Sequence, residues 1–453
     1  MNIIIAGCGK VGANLARKLA AEGYDLTMID SNQAVLESSM ERYDVITVQG
    51  NCASKQVLLQ AGVLDADLLI AVTGADEINL LSCTTAHGLN PKLHTIARIR
   101  NPDYTDQIYE MRDTFALSLA VNPEKQAAEE IEGLLKFPGF LHRDTFAKGR
   151  SEIVELRVNA SSVLCNQPLV EMPNLVKCRV LVCAVLRSGT AVVPNTGDFV
   201  LREGDRLFVT APTENLTILL KNLGIITRRV RRAILCGGGR VSYYLASLLE
   251  RDNVDVELIE QKESRCTELA ALLPKCCVVC GDATDQGLLE SEGLADCDAL
   301  VSVTGLDELN MIISLYGNSR KVPQVITKLS RMSNRSIADT LSLGSVVCPK
   351  ELCCNTIVRY VRAMQNQSGA AISVHAIADG QVEAIEFLVE DDNPYCNIPL
   401  KKLTPKSNVL IASIAHGASA EIPNGESVFR GGDTVVVVSS GNGVIRQFGD
   451  LFE

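Results

Sequence analysis

The first thirty residues constrain the fold of this chain more than any other stretch. An apolar segment at residues 3–6 leads into the motif Gly-Cys-Gly-Lys-Val-Gly at residues 7–12, and a second apolar segment at residues 26–29 ends in Asp30. The residues between them keep one apolar face at helical spacing. A strand, a glycine-rich turn, a helix and a second strand ending in an acid form the βαβ fingerprint of dinucleotide-binding folds.

Each position of the motif has a physical role. Gly7 permits the tight turn, Gly9 lets the backbone approach a pyrophosphate, and Gly12 lets helix and strand pack closely. The helix N-terminus offers amide donors and partial positive charge to an anion, and Asp30 is suited to accept hydrogen bonds from an adenosine ribose. The alternative is a glycine-rich turn without a ligand. The motif predicts a ligand class and leaves open what the ligand does.

The alternation of strand and helix continues after Asp30. The pattern predicts further strands at residues 45–49, 68–72, 95–99 and 117–121, and helices at residues 33–42, 54–61, from 76 past 81, 106–112 and 123–135. Six strands alternating with helices predict an α/β fold, a doubly wound parallel sheet of Rossmann type. Residues 137–150 break the rhythm and are interpreted as a linker.

A small lobe follows the linker. Short alternating strands are predicted at residues 153–158, 179–186 and 206–210, with turns at residues 194–197 and 203–205 and a closing helix at 214–223. This pattern is typical of a small α+β lobe rich in strands.

The whole arrangement then recurs, offset by about 230 residues. Gly-Gly-Gly-Arg-Val-Ser at residues 237–242 matches residues 7–12, Glu260 matches Asp30, and the segment 303–310 matches 72–79, which both read Val-Thr-Gly-x-Asp-Glu-x-Asn. The chain is therefore a tandem duplication. The predicted domains are two Rossmann-like lobes at 1–123 and 232–348, two linker helices at 124–142 and 349–367, and two small lobes at 143–227 and 368–453.

Composition and charge narrow the function classes. The 453 residues are 47% hydrophobic and carry a formal net charge of −11, which disfavours a nucleic-acid partner because duplex binding is dominated by phosphate neutralisation. No apolar run reaches the ~18 residues that a membrane span needs, and the chain starts directly in a predicted strand, so no signal peptide is expected. We expect a cytoplasmic protein whose membrane role, if it has one, is peripheral.

Two sequence features have competing interpretations. The sixteen cysteines, including the Cys277-x-x-Cys280 and Cys353-Cys354 pairs, are expected to be reduced structural thiols, with metal or redox chemistry as the alternative. The basic run at residues 228–232 is interpreted as a solvated linker between the copies, or as a contact with anionic lipid headgroups or nucleotide phosphates.

These motifs resemble the family of TrkA-type peripheral subunits of potassium uptake systems, built from RCK (KTN) modules. The similarity covers both copies and rests on the glycine motif, Asp30, Gly50-Asn51, the repeated Val-Thr-Gly-x-Asp-Glu-x-Asn element, and a Pro…Gly-Asp pattern in each small lobe. It implies two tandem copies of a Rossmann-like N-lobe and a small TrkA-C lobe, assembled as a homo-oligomeric ring beneath a membrane potassium-translocating subunit (TrkH/KtrB-like). The family binds NAD(H), or in relatives ATP or ADP, without transferring hydride.

The resemblance also implies the binding residues. The expected first site comprises Gly7, Cys8, Gly9, Lys10, Val11, Gly12, Asp30, Asn51, Thr73, Gly74 and Arg98. The expected second site comprises Gly237, Gly238, Gly239, Arg240, Val241, Glu260, Thr304, Gly305 and Lys328. In this second copy Ser242 replaces the third glycine, where its side chain is expected to crowd the helix against the strand. A degenerate copy kept only for assembly is the alternative.

Two other functions are weighed against a regulatory subunit. An NAD-dependent oxidoreductase needs a proton-transfer residue beside the nicotinamide, and none of the five histidines lies in a recognisable catalytic motif. A free-standing cytosolic nucleotide sensor cannot be separated from a channel subunit by this sequence.

The repeated Asp-Glu pairs at 76–77 and 307–308 are interpreted as carboxylates at helix N-termini, with a cation site as the alternative.

Overall fold

The computed structural model describes residues 1–452 except 138, 195, 225–228, 332–340, 342, 365–370, 418, 441–444 and 446. Several sequence expectations fall outside the described residues: Asn195 of the first small-lobe turn, Arg228 of the basic run, and the domain limits at residues 227, 367, 368 and 453.

The first Rossmann-like lobe is a six-stranded parallel sheet in the order β3-β2-β1-β4-β5-β6. Its elements are β1 (Asn2–Ala6), α1 (Lys10–Ala21), β2 (Asp25–Asp30), α2 (Gln33–Met40), β3 (Ile46–Gln49), α3 (Lys55–Gln60), β4 (Leu68–Ala71), α4 (Asp76–Leu89), β5 (His94–Arg98), α5 (Pro102–Glu110) and β6 (Leu119–Val121). This strand order is that of a doubly wound nucleotide-binding fold, which confirms the predicted fold class.

A long helix and a small antiparallel sheet complete the first copy. They comprise α6 (Pro123–Lys136), β7 (His142–Phe146), β8 (Ser151–Arg157), α7 (Met172–Val176), β9 (Leu181–Arg187), β10 (Thr190–Val192), β11 (Arg206–Ala211) and α8 (Thr213–Asn222). The sheet order is β10-β9-β11-β8-β7. Interpreting residues 137–150 as a linker was wrong at β7, which pairs with β8 along its length. Its polar sequence, His-Arg-Asp-Thr-Phe, hides the strand from a hydrophobic pattern.

The second copy repeats both lobes. Its Rossmann-like lobe contains β12 (Arg232–Cys236), α9 (Arg240–Arg251), β13 (Asp255–Glu260), α10 (Glu263–Leu272), β14 (Cys277–Cys280), α11 (Gln286–Ser291), β15 (Ala299–Ser302), α12 (Asp307–Ser319), β16 (Gln324–Lys328) and β17 (Ser345–Val347). Its remaining elements are α13 (Pro349–Met364), β18 (Ala371–Ile377), β19 (Val382–Leu388), β20 (Val409–His416), β21 (Ser419–Glu421) and β22 (Thr434–Ser440). The strand orders, β14-β13-β12-β15-β16-β17 and β18-β19-β22-β20-β21, match those of the first copy.

The long helices are exchanged between the copies. The apolar face of α6, including Ile131 and Leu134, shares a buried core with Leu245 and Leu249 of α9 in the second copy. In return, Ile357 and Val361 of α13 share a core with Leu15 and Leu19 of α1 in the first copy. Each Rossmann-like lobe therefore buries one face under a helix that follows the other lobe in sequence.

The two small sheets also pack against each other. Phe146, Ile153 and Phe208 of the first share a buried core with Ala384 and Val436 of the second. Polar contacts cross the same junction: the Arg206 guanidinium lies 3.0 Å from the Asp379 carboxylate, and the Ala147 amide donates to Glu386. The duplication thus builds one body, in which each copy packs a helix and a small sheet against the other.

Candidate nucleotide crevices

The glycine motif of the first copy forms a tight loop between β1 and α1. Gly7 has φ +101°, and a Cβ there would lie 2.8 Å from the Thr73 amide nitrogen on the adjacent strand end. A Cβ at Gly12 would lie 1.9 Å from the Gly7 carbonyl oxygen, whereas one at Gly9 would meet nothing within 4 Å. Gly7 and Gly12 are therefore needed for packing, and Gly9 faces open space where a ligand can approach.

The N-terminus of α1 offers free donors beside that space. The helix begins after Gly9 with no side-chain cap and no acidic residue in its first turn, so its first amides are left for an anion. Lys10, the first helical residue, is exposed. This arrangement fits a pyrophosphate, as the motif predicts.

Asp30 ties the loop to the end of β2. Its carboxylate accepts from the Cys8 amide at 2.7 Å and from the Asn32 amide at 2.9 Å. These bonds orient the carboxylate at the crest of the sheet next to the glycine loop, where an adenosine ribose would lie in this fold. Asn51, at the end of the neighbouring strand β3, is exposed and accepts from the Ala53 amide.

Thr73 and Gly74 form the other wall of the first crevice. The Asn79 side chain is fully buried and accepts from both the Thr73 amide (2.8 Å) and the Thr73 hydroxyl (2.7 Å). Its amide group donates to the Arg98 carbonyl oxygen at 2.8 Å. Asn79 therefore clasps the ends of β4 and β5 together. A Cβ at Gly74 would meet nothing within 4 Å, so this wall is also open.

Arg98 lies beneath this wall. Its guanidinium donates to the Thr73 carbonyl oxygen, and burial lowers its pKa, with the charge of Arg100 acting in the same direction. Arg98, which the sequence predicts to lie near phosphate, therefore holds the end of β4 in this structure.

The second crevice has the same clasp and the same open loop. Asn310 accepts from the Thr304 amide and hydroxyl at 2.8 and 2.7 Å and donates to the Lys328 carbonyl at 2.9 Å. Cβ atoms at Gly239 and Gly305 would meet nothing within 4 Å. Helix α9 begins at the exposed Arg240, again without a side-chain cap or an early acid. The Lys328 ammonium donates to the Val303 carbonyl at 3.1 Å, and burial lowers its pKa.

The second loop differs in the residues around its acid. Glu260 accepts from the Gly238 amide at 2.6 Å and the Lys262 amide at 2.9 Å. A Cβ at Gly238 would lie 2.7 Å from the Leu269 side chain and 2.9 Å from that of Glu260. The first copy has Cys8 at this position and the shorter Asp30. Leu269 and the longer acid Glu260 therefore both crowd this position, where glycine leaves them room.

Ser242 does not disrupt the second loop. It is fully buried, and its hydroxyl donates to the carbonyl oxygen of Gly237. The crowding expected of a side chain at this position is thus offset by a hydrogen bond. Gly237 keeps a left-handed φ of +109°, close to that of Gly7.

The repeated Asp-Glu pairs have structural partners. Asp76 accepts from the amides of Arg100 and Asn101, both at 2.8 Å, and Asp307 accepts from those of Ser330 and Arg331. Glu77 accepts from the Tyr104 hydroxyl. No cluster of three or more metal-ligating side chains occurs among the residues that the structure describes. Both pairs lie in the first turn of their helices, while the aspartates hold the loops after β5 and β16.

The basic run contacts the second copy itself. Arg229 donates to the Asp252 carbonyl at 2.7 Å, and Arg232 pairs with Glu257 at 3.0 Å. The interpretation as a solvated linker was wrong at Arg232, which is the first residue of β12. Arg229 is exposed.

Cys277 and Cys280 are exposed free thiols.

Sequence reasoning missed two groups near the crevices. Arg265 of α10 donates to the Gly238 carbonyl at 2.8 Å, and the first copy has Val35 at the matching position. Lys350 of α13 lies near the glycine loop of the other copy. Both residues differ in charge from their counterparts in the first copy, so a comparison of the two repeats could have found them. The position of Lys350 follows only from the exchange of the long helices.

Family comparisons agree with this geometry. The TrkA-N domain model matches residues 3–118 and 233–349, and the TrkA-C domain model matches residues 153–224 and 384–452. Together they cover most of the chain. It belongs to the TrkA family.

Full-length relatives carry the same domains. The chain is 30% identical over 447 residues to "Trk system potassium uptake protein TrkA homolog 1" of Methanosarcina mazei, covering 97% of each chain. It is 29% identical over 463 residues to "Trk system potassium uptake protein TrkA" of Haemophilus influenzae, covering 100% of this chain and 99% of the relative.

Solved structures share the fold of this TrkA-family chain. A structure described as "GsuK channel bound to NAD" superposes with a TM-score of 0.60 at 18% identity over 97% of this chain and 76% of the other. Another, described as "Crystal structure of the GsuK bound to ADP", gives a TM-score of 0.51 at 16% identity over 80% of this chain and 69% of the other. Within the described residues, no helix has the length and apolar character to cross a bilayer.

Proposed function

We propose that this chain is the nucleotide-binding regulatory subunit of a potassium uptake system. It binds adenine nucleotides in its two crevices and transmits its conformation to a membrane potassium-translocating subunit. The observation that carries the proposal is the pair of open glycine loops, each with an uncapped helix N-terminus and an oriented acid, in one body of a TrkA-family chain. Its full-length relatives are named as potassium uptake proteins.

The proposed ligand is NAD(H), with ATP or ADP as competitors for the same crevices. All share an adenosine and a pyrophosphate, which are the groups that the acid and the glycine loop are built to hold. The GsuK structures described as bound to NAD and to ADP support this choice of ligand class.

The proposed mechanism is thermodynamic linkage. A nucleotide shifts the balance between two conformations only by its difference in affinity for them. Each crevice is bordered by the exchanged helix of the other copy, so a ligand that moves one loop acts on both copies. The ring assembly, the cytoplasmic location and the peripheral attachment to the inner face of the membrane are part of this proposal.

The positions of the histidines argue against an oxidoreductase. His142 and His375 lie between the small lobes with Asp144, and His416 pairs with Asp433 in the second small lobe. His87 and His94 contact Leu93 and Tyr360, away from the crest of the sheet. These contacts give no support to an oxidoreductase, which needs a proton-transfer residue beside the nicotinamide.

Titration of the purified full-length chain with NADH, NAD⁺, ATP and ADP tests the proposal. Wild type is expected to bind two nucleotides per chain. Asp30→Ala should weaken the first site by at least about tenfold, and Glu260→Ala the second, because each removes the charged acceptor at the ribose. Glu41→Ala, which removes an exposed carboxylate, serves as the control and should bind like wild type.

Two results would overturn this reading. Absence of binding by every adenine nucleotide would remove the sensor function, and substrate-dependent NADH oxidation would establish an enzyme. Co-purification with a potassium-translocating membrane protein, and its dependence on nucleotide, separates the channel subunit from the remaining alternative of a free-standing cytosolic sensor.

A further inference from the structure

The exchanged helix α13 lies alongside α1 with the same polarity. Cys354 places its sulfur 3.7 Å from the Val11 carbonyl oxygen. Further along, Lys18 donates to Asn355, and Arg362 donates to Glu22 at 3.0 Å. Because residue numbers rise together along both helices, the N-terminus of α13 lies at the N-terminus of α1. Two helix N-termini therefore border the first glycine loop.

Lys350, the second residue of α13, stands at this junction. Its ammonium donates to the Ser330 carbonyl oxygen at 3.0 Å. Burial lowers the pKa of Lys350, and the positive charge of Lys10 lowers it further. Among the described residues, neither Lys10 nor Lys350 has an ion-pair partner. Two ammonium groups near an uncapped helix terminus are stabilised when an anion lies between them.

The second crevice has the opposite charge at the matching position. Helix α6 lies along α9, where Asn122 donates to the Tyr244 hydroxyl at 3.0 Å and Lys136 pairs with Asp252 at 3.0 Å. The second residue of α6 is Glu124. One of its carboxylate oxygens is buried without a hydrogen-bond partner. Its negative charge acts on Lys328 of the second crevice and on Arg98.

We propose that Lys350 extends the phosphate subsite of the first crevice and binds the terminal phosphate of a nucleoside triphosphate. The first crevice is then built from residues of both repeats and distinguishes nucleotides by the charge of their phosphate groups. The second crevice has Glu124 in the corresponding place, lacks that cation, and distinguishes nucleotides less strongly by phosphate charge. This proposal rests on the proposed nucleotide-binding function and assigns an unequal specificity to its two sites.

The test compares ATP and AMP affinities of the full-length chain, using Glu260→Ala to leave the first crevice as the binding site. In this background Lys350→Gln should weaken ATP binding by about tenfold, the scale of one lost charged hydrogen bond. AMP binding should change less than about twofold, because AMP does not reach Lys350. Lys350→Arg keeps the charge and should retain ATP affinity. Lys275→Gln, at an exposed lysine, is the control.

Several outcomes would overturn the proposal. Unchanged ATP affinity in Lys350→Gln, or equal losses for ATP and AMP, would leave Lys350 a structural residue while nucleotide binding itself stands. Equal affinity for inorganic triphosphate and ATP would mean that the lysines bind polyanions without the crevice. Failure of the Glu260→Ala parent and of wild type to bind any nucleotide would overturn the proposed function and this inference with it.

Discussion

At the scale of single residues, the three glycines of the first motif have different roles. A Cβ at Gly12 would lie 1.9 Å from the Gly7 carbonyl oxygen, while one at Gly9 has open space around it. Gly9 has φ −63° and ψ −172°, an extended conformation that any residue adopts without strain. Gly12 is thus a packing requirement of the lobe, whereas the packing of the lobe imposes no such requirement at Gly9.

Alanine substitutions separate these roles. We expect Gly12→Ala to lower the free energy of unfolding by about 1–3 kcal/mol, as overpacking does, with loss of nucleotide binding. Gly9→Ala should leave the free energy of unfolding within about 0.5 kcal/mol of wild type and still weaken nucleotide binding, since its methyl group would enter the open space proposed for the pyrophosphate. Urea unfolding gives the free energy of unfolding of both variants, and nucleotide titration gives their affinities. Equal free energies of unfolding for Gly9→Ala and Gly12→Ala would contradict the different roles assigned to the two glycines.

At the scale of elements, the clasp made by Asn79 and its counterpart Asn310 holds the crest of each sheet. Each side chain joins a helix to the ends of two strands through hydrogen bonds to backbone groups. The sequence motif Val-Thr-Gly-x-Asp-Glu-x-Asn recurs for this reason. Its threonine and asparagine bind each other, and its aspartate accepts from the loop after the next strand.

Removal of either clasp should cost stability. Asn79→Ala leaves the partly buried Thr73 amide and Arg98 carbonyl without this partner. The free energy of unfolding is therefore expected to fall by about 2–4 kcal/mol, from unsatisfied groups at about 1–3 kcal/mol each. Asn310→Ala is the matched variant and should fall by a similar amount. Chemical unfolding checks both. A loss in one variant without the other would show that the repeats are not structurally equivalent at this position.

At the scale of the whole molecule, a buried polar cluster joins the two small lobes to α6. Asp144 lies 2.7 Å from His375 of the second copy and 3.3 Å from His142, which is itself 3.4 Å from Glu130. Arg143 is the other charged side chain that acts on Glu130. Burial raises the pKa of Asp144, but the charges of His142 and His375 lower it by more, so it lies well below its usual range.

This depressed pKa predicts a pH-dependent contribution to stability. A carboxyl whose pKa is lower in the folded state stabilises the fold above its unfolded pKa, about 3.9. That contribution begins to fall as the pH drops below this value, and it is lost completely only below the folded pKa. Asp144→Asn should therefore lower the free energy of unfolding by about 3–5 kcal/mol at pH 6. The difference from wild type should begin to shrink as the pH falls below about 4 and should keep shrinking on further acidification.

Urea unfolding of wild type and Asp144→Asn across this pH range is the measurement. Asp113→Asn, at an exposed aspartate, is the control and should follow wild type throughout. A difference that does not change with pH would assign the effect of Asp144→Asn to packing instead of charge.

The sequence by itself determined the fold class, the duplication and the crests of both crevices. Their signals are local: a glycine spacing, an acid after the next strand, and the alternation of strand and helix all lie within about thirty residues. Family membership and the parallel sheets confirm the fold class and the duplication. The roles of the individual site residues stay predictions until nucleotide binding is measured.

The tertiary structure decided what joins the copies. The exchange of α6 and α13, the pairing of Asp144 with His375, and the position of Lys350 near Lys10 each bring together residues more than 100 positions apart. A hydrophobic helix face indicates burial but does not specify which sheet covers it. Strand β7 escaped prediction for a related reason, since its polar residues pair across a junction between lobes that a local pattern does not contain.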